Sequence, residues 1–442
     1  MVCWLCCAMG ATAQTYTLEQ LKDSALHNNF AIRKARFDIN AAQQQRREAF
    51  TKYFPNVSAT GLWFNANKGM AETTITPSEL MPQSLGQVLA QKLPQQVLAD
   101  LANPINVSML KNGTIGGVTA VQPVFAGGQI INGNRLAKVG ENVSRLQLQL
   151  SENEVEKITE QYFWQLVSLQ EKMKTVEAVE TLLADIAKDV DVALKAGVAM
   201  RNDLLQVQLR QNDVASQKLT LRNATSVIKL LLAQYCGLHA GDTWNVECAS
   251  VDPTSTENSS LSPFHSSLPN LPEYQLLTQQ VRATDLQHKM EVGKNLPSVG
   301  VGAGYNYHNL LDNDHTFGMI FATVNVPISD WWGGSHAIKR KKIEQQKAEE
   351  QLADNSELLK IRMQKAWNDV DEASQQLALT KRSIEQAEEN LRLNQNYYKA
   401  GTVRMSDLLE AQLLYQQARD KHTDAFADYQ YKLLEYRQST GR

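Results

Sequence analysis

Asp407 and Glu410 stand three residues apart where a helical stretch begins, so both carboxylates fall on one helix face. If several copies of such a face converge, like charges disfavour full ionisation and the oxygens suit hard cations. A plainer role is an acidic helix start, favoured by the helix dipole. Little else in the chain has the makings of chemistry. Gly300-Val-Gly-Ala-Gly304 follows a helix and lies inside a strand-like run, so it is not a dinucleotide fingerprint. The eight histidines are scattered, and His308 and His315 flank a turn without zinc spacing. No nucleophile elbow or phosphate loop occurs, so neither an enzyme nor a cofactor is expected. The run Lys339-Arg-Lys-Lys342 tops a long helix as a solvated face, or as a headgroup contact beside the interfacial aromatics Trp331 and Trp332.

Those acids belong to a repeated stretch. Lys195-Ala-Gly-Val-Ala-Met-Arg-Asn-Asp-Leu-Leu-Gln-Val-Gln208 returns 204 residues later as Lys399-Ala-Gly-Thr-Val-Arg-Met-Ser-Asp-Leu-Leu-Glu-Ala-Gln412, with seven of fourteen positions identical. That frequency points to an internal duplication. Gly197 and Gly401 suit the left-handed residue past a helix end. Asn202/Asp203 and Ser406/Asp407 suit the N-cap of the next helix. Each copy therefore predicts a helix-to-helix turn.

The 442 residues carry a net charge of −3, which gives no basic nucleic-acid footprint. No run of 18 apolar residues is present, so no membrane-spanning helix is expected. Residues 1–13 are apolar and end in Ala-x-Ala, like a short secretory signal without a positive start. Three of the five cysteines lie there. Cys236 and Cys248 remain, either as one short-loop disulfide of an exported protein or as two free thiols.

In chain order, Tyr16 to Tyr53 predicts one helix opened by a Thr17/Gln20 capping box and ended by Pro55. Residues 14–236 form a first repeat: that helix, a strand hairpin over 55–125, a long helix over 129–194, a tip turn over 195–203 and a return helix. Within the hairpin, 56–65 and 113–125 are strands, and 66–112 is a polar insert with one weak helical patch at 84–101. Residues 237–272 are a Ser/Pro/Asn-rich linker. The second repeat, 273–442, has a helix, a strand hairpin over 297–328 with a turn at 309–315, a long helix over 334–398, a tip turn over 399–407 and a return helix. Leu359, Met363, Ala366, Val370, Ala373, Leu377, Thr380, Ile384, Ala387, Leu391, Asn394 and Tyr398 alternate steps of four and three, the spacing of left-handed coiled packing.

The four strands have the length that crosses a bilayer when tilted. Trp63, Phe64, Tyr305, Tyr307 and Phe317 lie toward their far ends, as an aromatic girdle would. Four strands cannot close a barrel, and an open edge in lipid leaves backbone groups unsatisfied. In a membrane, several chains must share one barrel; otherwise the strands make a soluble four-stranded sheet.

Helix, strand hairpin, long helix, Gly-turn and return helix, all twice, resembles the TolC-like outer-membrane efflux proteins. The most specific stretch is Tyr398-Lys-Ala-Gly-Thr402 followed by Asp407-Leu-Leu-Glu410. The resemblance implies a mixed membrane α+β fold: a homotrimer whose outer-membrane β-barrel, four strands per chain, continues into a long α-helical coiled-coil barrel in the periplasm. It implies that 237–272 lies in an equatorial region, and that an inner-membrane pump of the RND or ABC type and a periplasmic adaptor deliver substrate. Position by position, Tyr398 falls on the family's gate tyrosine and Asp203 on its aspartate partner. Asn202 falls on the polar partner of an arginine expected at Val403, one place before Arg404. Asp407 and Glu410 fall on the acidic ring. A dedicated heavy-metal duct is disfavoured by the lack of a Met- or His-rich inner face. A non-conducting coiled-coil or adhesin would not need paired carboxylates at a turn.

Overall fold

Long helices dominate because the apolar seams run on without a Pro or a turn cluster. The computed structural model describes residues 14–76, 82, 85, 94–238, 244–246, 268–310, 313–328 and 330–441. The proposed signal segment 1–13 and Cys248 lie outside them. Contacts divide the chain into a unit of residues 1–43, 139–283 and 346–442 and a unit of 44–138 and 284–345.

In the first unit, β1 (Gln14–Tyr16) and α1 (Leu18–Asn28) lead into α2 (Phe30–Thr51), which crosses into the second. The capping box forms as expected: Thr17 N–H donates to Gln20 Oε1 at 3.0 Å, and Gln20 N–H to Thr17 Oγ1 at 3.3 Å. The single helix expected over 16–53 is instead broken at Asn29, whose ψ of 136° is extended. Its Oδ1 accepts the Ala31 N–H at 2.8 Å and its Nδ2 donates to Tyr235 O at 3.1 Å. A short amide that can bond nearby backbone competes with the helix ladder, and here it wins.

The second unit holds the sheet. The insert 66–112 is not merely polar loop. It contains β3 (Ala71–Ile75) and β4 (Ile105–Met109), paired antiparallel, and α3 (Gln95–Ala102). The main sheet is antiparallel in the order β2 (Asn56–Asn65), β5 (Asn112–Ala126), β7 (Ser298–Leu310), β8 (Asn313–Asn325). The turn expected over 309–315 is shorter, since pairing continues to Leu310 opposite Asn313. Alternation along the strands sets two faces. One carries Val57, Ala59 and Trp63, Val118 and Ala120, Val301, Ala303 and Tyr305, Ala322 and Ile320. Of these Ile320 is 90% exposed, Trp63 70% and Tyr305 63%. The other carries Ser58, Thr60, Gly302, Gly304, Asn306 and His308 together with Leu62, Phe64, Ile115, Met319 and Phe321. Tyr307 joins Trp63 and Tyr305 on the first face, whereas Phe64 and Phe317 point to the second, so the five aromatics do not form one girdle. At the foot of β5, Gly127 has φ +59° and lies against Gly293 so closely that a Cβ on either would meet backbone.

The two long helices are α4 (Gln129–Lys195) and α7 (Asp330–Lys399), each followed by a return helix, α5 (Arg201–Cys236) and α8 (Met405–Thr440). All twelve seam positions expected on α7 are buried or half-buried. The linker 237–272 is likewise not structureless: β6 (Trp244–Val246) pairs parallel with β1, and α6 (Pro272–Lys294) follows a short 3-10 turn. Trp244 and Val246 pack into a core with Leu21, Ile32, Val155, Phe163, Leu232 and Cys236. Cys236 is a free thiol here, and its candidate partner Cys248 lies outside the described residues. Cys236 is fully buried and its Sγ donates to Leu21 O at 3.5 Å.

Candidate gate at the paired helical turns

The repeated glycines do the same thing twice. Gly197 (φ +78°) and Gly401 (φ +71°) each end a long helix. The Gly197 N–H donates to Leu194 O at 3.0 Å and Val198 N–H to Ala193 O at 2.9 Å. The Gly401 N–H donates to Tyr398 O and Thr402 N–H to Tyr397 O, both at 2.9 Å. This pair of crossed bonds is the Schellman motif, and it needs a left-handed residue at the glycine.

The next helices start earlier than expected. Their N-caps are Met200 and Arg404, not the Asn202/Asp203 and Ser406/Asp407 pairs. Each aspartate is the third helical residue and reaches back. Asp203 Oδ2 accepts the Met200 N–H and Asp407 Oδ2 the Arg404 N–H, both at 3.1 Å. Met has no capping oxygen and the Arg side chain has only donors, so the acid one turn on satisfies the free backbone donor.

Tyr398 is half-buried at the end of α7, packed against the core cluster that includes Val207, Leu391, Met405 and Leu408. Burial, and then the charge of Asp203, raise its hydroxyl pKa, so the structure brings these two within electrostatic reach in one chain. No hydrogen bond joins them. Asn202 and Arg404 are exposed and not brought together, and Asp407 and Glu410 are both exposed. Asp407 also accepts from Ser406 Oγ at 3.2 Å.

Below the turns lies a polar layer that the sequence reading missed. Arg210 Nε donates to Gln412 Oε1 at 3.1 Å, and its Nη2 to Gln416 Oε1 at 2.9 Å. Gln416 Nε2 donates to Gln217 Oε1 at 2.8 Å. Gln412 is fully buried, with Nε2 unpaired. Burial lowers the Arg210 pKa, with Asp213 opposing. The signal was present: Gln412 interrupts the apolar series Met405, Leu408, Tyr415 at a seam position. Further along, Ser168 and Lys172 of α4 hold Asp424 of α8 at 3.0 and 2.6 Å. Neighbouring Asp420 has Oδ1 buried and unpaired, and burial raises its pKa.

The arrangement is a double helical hairpin whose two turns carry acids and one tyrosine.

Residues 265–442 match the family model described as outer membrane efflux protein. No curated protein is detectably similar in sequence. Among solved structures, the CusC channel is 14% identical and aligns over 98% of this chain and 95% of its own, with a TM-score of 0.79. The Vibrio cholerae outer membrane protein VceC is 13% identical over 96% of each chain, with a TM-score of 0.73. The Campylobacter jejuni CmeC outer membrane channel is 15% identical over 96% of this chain and 85% of its own, with a TM-score of 0.72. At these identities the likeness is one of fold, and it spans nearly the whole chain. Residues 265–442 are therefore similar to the outer membrane efflux protein family, and the chain shares the fold of these solved outer-membrane channels.

Proposed function

We propose that three copies of this chain share one barrel and one helical tunnel, the exit duct of a tripartite efflux or secretion system. A periplasmic adaptor and an inner-membrane pump would feed it. The observation that carries the reading is the sheet: among the described residues, four strands with β2 and β8 as unpaired edges, and one face with exposed Val, Ala, Ile, Trp and Tyr. In water that face costs about 25 cal/mol per Å² of apolar area. In lipid it is at home, but the two edges then need partners. Edge-to-edge pairing of copies answers both needs. The repeats 14–236 and 273–442 are two copies of one ancestral unit. In support, Gly237 and Gly441 end the return helices in the same left-handed conformation and stand 204 residues apart, as Gly197 and Gly401 do. In the assembled duct Tyr398 would latch Asp203, Asn202 and Arg404 would add a weaker contact, and Asp407 with Glu410 would form an acidic ring. Native mass spectrometry in detergent tests the assembly. A three-chain mass is expected, and a stable monomer would end the shared-barrel reading.

A further inference from the structure

On the face of the sheet opposite Trp63 and Tyr305, His308 of β7 and His315 of β8 are direct cross-strand partners. Their ring centroids are 5.5 Å apart with planes inclined at 42°. Directly opposed residues in an antiparallel pair hold their Cβ atoms about 4.5–5.5 Å apart, so the two imidazoles reach the same point in space. A metal about 2.1 Å from one nitrogen of each ring, at a tetrahedral angle, would separate the centroids by about 5.3 Å. The observed spacing matches without moving the strands. Phe317 closes one side, its ring centroid 6.1 Å from that of His308. His308 Nδ1 is buried with no hydrogen-bond partner. A buried polar atom left unpaired is unfavourable, and coordination at the ring would compensate for it. Among the described residues no group of three or more His, Cys, Asp or Glu is placed to hold a metal, so water must complete the shell.

We propose that His308 and His315 form a two-imidazole site for a divalent transition metal of the Zn2+, Ni2+ or Cu2+ class, bridging the ends of β7 and β8. Imidazole suits these ions and not Ca2+ or Mg2+. The site stands on the local hairpin geometry alone, whether or not the duct conducts. Cu2+ titrated into the full-length protein in detergent, followed by electron paramagnetic resonance, reads the ligands directly. Nitrogen splitting from two imidazoles is expected in the parent, one in His308→Gln or His315→Gln, and loss of the signal in the double variant. A double variant with the parent's spectrum, as binding elsewhere would give, overturns the proposal. Carbethoxylation of the unmodified protein gives a second check that no folding defect can confound. Zn2+ should protect His308 and His315 while exposed His27 still reacts; equal modification with and without Zn2+ would overturn it.

Discussion

Asp203 has two tasks at one carboxylate. It closes the N-terminus of α5 through the Met200 N–H, and in the proposed latch it also holds Tyr398, whose hydroxyl its charge already reaches. The two can be separated. Tyr398→Phe removes only the hydroxyl, so conductance should rise while thermal stability holds. Asp203→Ala should also raise conductance, but at a cost of about 1 kcal/mol in helix capping. If neither variant conducts more than the parent, the latch is wrong. Asp420 gives a pH test. Its folded pKa is raised, so the native state holds its proton better than the unfolded state. Stability is therefore lost as pH rises from the unfolded carboxylate value through the folded one. Asp420→Asn should melt higher than the parent at pH 7, with the gain shrinking as both are acidified, as thermal scans at the two pH values will show. Cys236 is simpler: burial raises its thiol to about 12, so it should resist iodoacetamide at pH 8 until denaturant exposes it. Residue roles with nearby partners, such as the Thr17/Gln20 box, were legible in the sequence. The Arg210–Gln412–Gln416–Gln217 layer was not, because its partners lie about 200 residues apart and only the fold chooses them.

At the scale of elements, periodicity carried most of the information. The seam of α7 has no breaker and came through intact, and so did the strand Asn56–Asn65. Legibility failed where one residue or one pairing overrides a pattern. Asn29 breaks a helix whose apolar stripe continues, and β3, β4 and β6 are short strands fixed by partners distant in sequence. The turns allow a direct comparison. Gly197 and Gly401 have open space where a Cβ would sit, so only the left-handed backbone opposes a side chain. Alanine at either should destabilise by about 1–2 kcal/mol. Leu183→Ala, in the core both hairpins share, should cost about 2–5 kcal/mol. Chemical denaturation of the purified protein orders these variants, and a glycine variant worse than Leu183→Ala would mean that the turn is packed by something more than its own helices.

At the scale of the whole molecule, the proposed duct would need a lipid-facing sheet, a double helical hairpin and an acidic end. Residues 265–442 match the outer membrane efflux family and the chain has the fold of outer-membrane channels, from which the efflux role is proposed. The gate, the three-fold assembly and the partners are the proposal. Asp407 and Glu410 connect the residue to the assembly: three copies would bring six carboxylates around one opening, a site for multivalent cations. Single-channel recording of the purified protein in a planar bilayer tests this most directly, with trivalent cations added from the helical-tip side. Discrete conductance steps are predicted, blocked by the cation in the parent and unblocked in Asp407→Asn with Glu410→Gln. Three-chain particles that insert and never conduct, or a block unchanged in the double variant, would contradict it.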